Sequence, residues 1–173
     1  MRIFLTGFMG SGKTTVGAEL AKLLSYPFID LDEQLVIGQG MPVAEQFKLY
    51  GEEVFRQKER EVLRHTAVYT HAVISCGGGA PCYYDNMDWM NRHGITVFLH
   101  IPPEKLAIRL QSEKMQRPLL QNLSDEELAL FITKKLQERL PYYLLAALTA
   151  DATLPVKSLC AQIFRQLNDI NGR

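Results

Sequence analysis

An excess of one charge sign is missing from this chain. Its 173 residues carry 19 lysines and arginines against 19 aspartates and glutamates, so the formal net charge is zero. A nucleic-acid binder ordinarily shows a basic excess, and the balance therefore speaks against a polynucleotide partner. A small anionic substrate needs only a few local charges and stays open. Cysteine is scarce: Cys76, Cys82 and Cys160 are odd in number and widely spaced. They read as reduced thiols that pack as small apolar residues in a cytoplasmic protein, not as a disulfide framework. No apolar run approaches the ~18 residues of a membrane span, so no membrane partner is expected. No signal peptide is expected either, because a glycine-rich stretch opens at Gly7 and a cleaved leader would remove it. Internal repeats, low-complexity segments, linkers and a large exposed apolar stripe are also missing. A monomer formed by one domain, residues 1–173, is the resulting expectation.

What is present is ordinary in bulk and unusual in arrangement. Apolar residues make up 47% and charged residues 22%, as in an average globular chain with a real core. Ile3-Phe4-Leu5 is a short apolar run that stops at Thr6-Gly7 and predicts a buried strand. From Thr14 the period turns helical, with Val16, Leu20, Leu23 and Leu24 on one face, until Pro27. Phe28-Ile29-Asp30-Leu31-Asp32 predicts a second strand. Helical segments are expected over Pro42–Tyr50 and Glu52–His71, separated by Gly51. Ala72–Ser75 predicts a strand that runs into Cys76-Gly77-Gly78-Gly79. A helix near Asp85–Arg92, a strand over Ile95–Ile101 and a helix over Glu104–Leu110 follow. Ser112–Ser124 is polar and predicts a loop, and Ser124-x-x-Glu127 is a capping-box signature for the next helix. A strand near Thr149–Ala152 and a helix over Val156–Asn168 close the chain. Strands alternating with helices imply an α/β fold, a parallel sheet covered on both faces.

The stretch Gly7-Phe8-Met9-Gly10-Ser11-Gly12-Lys13-Thr14 matches G-x-x-x-x-G-K-[ST], with a strand before it and a helix after it. Its glycines let the backbone curve around a phosphate. The inward N–H groups form an anion nest, and the first helical turn adds its unpaired donors and positive dipole end. Lys13 supplies a full charge for the β- and γ-phosphates, and Thr14 a hydroxyl for Mg²⁺. This predicts a nucleoside triphosphate site. It leaves the reaction open, because switches, motors and small-molecule kinases share the loop.

Other stretches are weaker singly. Asp30 and Asp32, two apart in an extended segment, would project from one face at the strand's C-terminal end. One could hold Mg²⁺ through water while the other orients or deprotonates a hydroxyl; alternatively they are turn residues, or Asp32 caps a helix. Arg56 lies in a helical pattern with Phe47 and Phe55. It either grips a substrate carboxylate with its planar fork or pairs with Glu52, Glu53 or Glu59 on an exposed face, and the two phenylalanines alone would read as core. Gly77-Gly78-Gly79 either admits a ligand against the backbone or is a plain turn. Arg117, with Lys114 nearby, is either a lid cation for the transferring phosphate or a solvated loop residue. Arg139, ahead of Leu140-Pro141-Tyr142, is either a ligand contact or a helix C-terminal cation.

As a set, GFMGSGKTTVG, FIDLDE, GEEVFRQKE, GGG, RPLL and ERLPYY, in that order and spacing, resemble the shikimate kinase family over nearly the whole chain. The resemblance implies a P-loop kinase fold of the nucleoside monophosphate kinase type, with a five-stranded parallel sheet. It implies a substrate-binding region at about 33–61 and a lid at about 112–124. By the same resemblance, Gly10, Ser11, Gly12, Lys13, Thr14 and Thr15 wrap the phosphates of ATP. Thr14 holds Mg²⁺, with Asp30 in the metal's water shell and Ser75 assisting. Asp32 meets the attacking hydroxyl. Arg56 and Arg139 clamp the shikimate carboxylate, Gly78 and Gly79 touch the substrate through their backbone, Phe47 and Phe55 wall the pocket, and Glu59 steadies Arg56. Arg117 reaches the phosphates from the lid, and Arg109 with Ala152-Thr153 lies near the adenine. The implied reaction is transfer of the γ-phosphoryl of MgATP to the shikimate 3-hydroxyl, a step of aromatic amino-acid (chorismate) biosynthesis.

Two stretches depart from the family pattern. Many members carry a basic residue soon after Arg-x-Pro-x-Tyr, where this chain has Leu144-Leu145. The adenine-side stretch Asp151–Pro155 is short and less polar. Two rival functions are a kinase of another hydroxylated acid such as gluconate and a non-catalytic nucleotide-binding module. GEEVFR, GGG and RPLL favour shikimate over gluconate. The presence of Asp32, Arg56, Arg117 and Arg139 disfavours a module that has lost activity.

Overall fold

The computed structural model describes residues 1–116 and 120–172. Five parallel strands form one sheet: β1 (Arg2–Thr6), β2 (Phe28–Asp30), β3 (Ala72–Ser75), β4 (Ile95–His100) and β5 (Leu148–Asp151), in the order β2-β3-β1-β4-β5. Seven α-helices are described: α1 (Lys13–Leu24), α2 (Leu31–Gln39), α3 (Val43–His65), α4 (Asn86–His93), α5 (Pro103–Glu113), α6 (Asp125–Tyr143) and α7 (Val156–Asn171). The α/β alternation holds, and the sheet matches the P-loop kinase architecture.

The period-2 alternation of the strands sorts apolar side chains to two faces. Ile3 and Leu5 of β1 and Val73 of β3 join one cluster with Val16, Leu20 and Ile163. Phe4 and Ile74, the residues between, join the other cluster with Leu31, Leu63 and Met90. Both faces are therefore covered, as a parallel sheet requires. Among the described residues, no helix is long and apolar enough to cross a membrane.

Several boundaries differ from expectation for physical reasons. The second strand stops at Asp30, and Leu31 already begins α2, a helix the sequence pattern did not predict. Asp30 is its N-cap: Oδ1 accepts the Asp32 backbone N–H at 3.0 Å. Asp30 and Asp32 thus do not share one extended segment, and the capping residue is Asp30 rather than Asp32. Gly51 does interrupt the expected helices, with φ 75° and ψ 171°, but the chain stays helical on both sides of it. The second piece ends at His65 rather than His71, and a 3-10 turn over Thr66–Val68 follows. The expected loop from Ser112 is helical to Glu113 and continues as a 3-10 turn over Lys114–Gln116, since neither glycine nor proline intervenes before Pro118. The capping box forms as read, with Ser124 Oγ accepting the Glu127 N–H and the Glu127 carboxylate accepting the Ser124 N–H.

Candidate active site

The C-terminal ends of three adjacent strands build the site, the place where open α/β sheets bind ligands. β1 delivers the phosphate loop, β2 delivers Asp30, and β3 delivers Ser75 and the triple glycine. Register fixes this: Leu5 and Asp30 both lie opposite Ser75 on β3. Gly10 (φ 78°) and Gly12 (φ 91°) adopt the left-handed conformation that the loop demands, with Gly12 at the N-cap of α1. Lys13 Nζ donates to the carbonyls of Gly7 and Phe8 at 2.9 and 3.0 Å, folding the lysine along the loop. The Thr14 hydroxyl donates to Asp30 Oδ2 at 2.8 Å.

A cavity of about 220 Å³ opens above this loop, and Gly10, Gly12, Lys13, Asp32, Ser75 and Gly78 are among its lining residues. A second cavity of about 200 Å³ adjoins it, lined by Gly12, Thr15, Arg109, Ala152 and Leu154 among others. Arg109 spans the gap between the two walls, donating to Gly10 O at 3.3 Å and to Ala152 O at 2.8 Å. Ala152 and Leu154 line this wall, and between them the Thr153 N–H donates to Asp151 Oδ1 at 2.9 Å. Glu113, which no motif marks, lines both cavities.

Beside the first cavity, distant segments meet. Arg56 is buried rather than on an exposed helix face, and its Nη1 binds Glu59 Oε2 at 2.7 Å. Phe47 and Phe55 stack on each other, 4.0 Å between centroids, and lie 5.3 and 5.2 Å from the Arg56 guanidinium. Their rings brace the arginine. Arg139 lies over the Phe8 ring at 5.4 Å. At Gly77 and Gly79 a site side chain occupies the space a Cβ would fill, whereas at Gly78 a Cβ would only touch its neighbours. A Cβ on Gly77 would stand 2.6 Å from Glu59 Oε1 and 3.0 Å from Asp32 Oδ1; on Gly78, 3.4 Å from Arg139 Nη1; on Gly79, 2.6 Å from Arg56 Nη2. The Gly78 carbonyl also accepts a hydrogen bond from Tyr143, a fully buried ring stacked on Phe98. The GGG stretch thus gathers Asp32, Glu59, Arg139 and Arg56 around one backbone turn.

Electrostatics follow from this burial. Burial raises the Glu59 carboxyl above the ordinary carboxylate range and Asp32 adds to the rise, while Arg56 and Arg139 oppose it. Burial also disfavours charge on Arg56, but Glu59, Tyr83 and Glu52 outweigh it and hold the guanidinium protonated. All three cysteines are free, and Cys76 and Cys160 are buried. Burial pushes the Cys82 thiol up to about 11, so it packs beside the arginines as a neutral group. Arg117, the expected lid cation, lies outside the described residues.

A loop that binds triphosphate, a carboxylate facing the same cavity and two arginines beside it suit phosphoryl transfer to a hydroxylated acid. A shikimate kinase family model matches residues 9–168. The chain belongs to the shikimate kinase family. It is 50% identical over 143 residues to a shikimate kinase of Bacteroides thetaiotaomicron, covering 83% of this chain and 82% of that one. A crystal structure of a shikimate kinase from the same species superposes with a TM-score of 0.93 at 44% identity, over 97% of this chain and 98% of that one. A shikimate kinase of Acinetobacter baumannii in complex with shikimate superposes with a TM-score of 0.86 at 32% identity, over 97% and 93% of the two chains. A gluconokinase of Sinorhizobium meliloti, at 19% identity and a TM-score of 0.59, shares the fold alone. The chain is thus a small-molecule kinase, as the resemblance implied.

Proposed function

We propose that this chain transfers the γ-phosphoryl group of ATP to the 3-hydroxyl of shikimate, giving shikimate 3-phosphate and ADP. The observation that carries the reading is one cavity shared by the phosphate loop and Asp32, with the triple glycine placing its backbone next to Arg56 and Arg139. The 3-hydroxyl oxygen attacks the γ-phosphorus, the bond from that phosphorus to the bridging oxygen of ADP breaks, and Asp32 receives the hydroxyl proton. Arg56 and Arg139 grip the acceptor's carboxylate and so fix which hydroxyl faces the phosphorus. Gly78 and Gly79 contact the ring through their backbone. Lys13 neutralises charge on the β- and γ-phosphates, and Arg117 adds a second cation from the lid, residues 112–124. Arg109 lies against the adenine.

The donor set fits Mg²⁺. Thr14 Oγ1 and Asp30 Oδ2, hard oxygens 2.8 Å apart, stand beside the phosphate loop. Thr14 would hold the ion directly and Asp30 through water, with Ser75 in reach of that shell. When bound, Mg²⁺ spreads the charge of the β- and γ-phosphates. The whole chain acts as one kinase domain, with residues 33–61 receiving the acceptor, and works as a cytoplasmic monomer. Product analysis tests the reaction. With MgATP and shikimate, phosphorus NMR should show the new phosphate coupled to the proton on C3; coupling to another carbon's proton would refute the assigned geometry.

A further inference from the structure

Arg56 carries five N–H donors in a planar fork. Nη1 serves Glu59 at 2.7 Å, while Nη2 stands 3.4 Å from Glu52 Oε1, a long and weak contact. Nε is buried and has no partner among the described residues. The fork therefore keeps donors to spare, although a second carboxylate lies within reach. Glu52 sits four residues before Arg56 on α3, the usual spacing for a helical ion pair. Its side chain is 58% exposed, so the protein interior does not confine it. A substrate carboxylate and the Glu52 carboxylate are the same chemical group, and both suit the same nitrogens.

Tyr83 intervenes. Its hydroxyl donates to Glu52 Oε1 at 2.6 Å, much the shorter of that oxygen's two contacts. Its ring lies 4.3 Å from the Arg56 guanidinium, nearer than either phenylalanine. Tyr83 immediately follows the short turn Ala80–Cys82 that leaves the triple glycine. One loop thus sets Gly79 against the arginine's nitrogens and Tyr83 against its face.

We propose that Tyr83 is a specificity-determining positioning residue: it draws the Glu52 carboxylate off the Arg56 fork and leaves Nη2 open for the acceptor's carboxylate. The inference rests on the reading of Arg56 as the acceptor clamp. The charge balance at Glu52 agrees with it. The Tyr83 hydrogen bond is the strongest influence holding the Glu52 carboxyl below its usual range, ahead of Arg56 and Lys135, with partial burial acting the other way.

Steady-state kinetics on the full chain test the proposal. In Tyr83→Phe, Glu52 is released to close on Nη2. The shikimate KM is expected to rise about ten-fold, the effect of one hydrogen bond to a charged group, while kcat and the ATP KM hold. Adding Glu52→Gln removes the competitor and should return KM to within about two-fold of the parent. Glu52→Gln alone should lower the shikimate KM by about two-fold, the scale of an exposed ion pair. An unchanged KM in Tyr83→Phe, a rise that Glu52→Gln does not rescue, or an unchanged or raised KM in Glu52→Gln alone would each overturn the proposal. Arg56→Ala separates the two levels. If it leaves the shikimate KM unchanged, the clamp reading fails; if it raises KM and Tyr83→Phe does not, only the role of Tyr83 fails.

Discussion

The two halves of the site are built in opposite ways. The proposed nucleotide half comes from consecutive residues, Gly7 to Thr15, on one strand-turn-helix unit. The proposed acceptor half is assembled from side chains far apart in sequence: Asp32 on α2, Arg56 and Glu59 on α3, and Arg139 on α6, gathered around Gly77–Gly79. A local half depends on conformation that a short segment largely dictates. An assembled half depends on the positions of several helices, and each of its members leans on another. Damage should therefore stay confined in the first half and spread in the second.

The largest expected effect lies where the halves meet. Asp32→Asn keeps the size of the side chain and removes the proton acceptor, so kcat should fall about 10³-fold while ATP affinity holds. Full turnover in this variant, measured by ADP release, would mean that the two halves do not meet at Asp32.

Arg56→Ala should lower kcat/KM for shikimate by about 10²-fold and leave the ATP KM unchanged. It should also spread, because Glu59 loses its 2.7 Å partner inside the protein. A buried carboxylate left unpaired costs about 3 kcal/mol. The sign of its pH dependence follows from burial, which already raises the Glu59 carboxyl. Without Arg56 that rise grows. A folded value above the unfolded one means stability that is complete at low pH and lost as pH rises through the folded value. The melting deficit against the parent should therefore be larger at about pH 8 than at about pH 5.

A pair of glycine variants sharpens the contrast at smaller scale. A Cβ on Gly79 would press on Arg56 Nη2 at 2.6 Å, and Gly79→Ala should raise the shikimate KM about ten-fold with the ATP KM unmoved. Gly10 has φ 78°, and its Cβ would meet Leu110 at 2.9 Å. Gly10→Ala should do the reverse, raising the ATP KM by a similar factor of about ten. If both variants raised both constants alike, the division into two halves would be wrong.

The difference in construction also decides what the sequence could reveal. The phosphate loop was legible because its spacing, its lysine and its flanking strand and helix are contiguous. The parallel sheet was legible for the same reason, through short apolar runs alternating with helical periods. Helix α2 was not, because Phe28-Ile29-Asp30-Leu31 reads as one extended run until the Asp30 side chain is seen capping Asp32. Arg56 was read as a clamp or as an exposed ion pair. The structure shows a buried ion pair with Glu59, whose sequence trace was the i,i+3 spacing. Tyr83 carried no local signal, and Tyr143, although it closes the ERLPYY stretch, gave no hint of its partner: their hydroxyls reach residues 31 and 65 positions away, on Glu52 and Gly78.

The smallest expected effect touches neither half. The Ser124–Glu127 capping box opens α6, and the Ser124 backbone N–H, followed by its hydroxyl, lowers the Glu127 carboxyl below its usual range. A lowered folded value gives stability that is present above the unfolded value and lost as pH falls through the folded one. Ser124→Ala should thus lower the melting temperature slightly at neutral pH, less so in acid, with both KM values unchanged.

The central claim is that the acceptor half selects shikimate for phosphorylation by the nucleotide half. A coupled ADP-release assay with MgATP, run with shikimate, with gluconate and with no acceptor, tests it most directly. The account expects rapid release with shikimate alone and background with the other two. Equal release with gluconate, or ATP binding with no release on either acid, would contradict it.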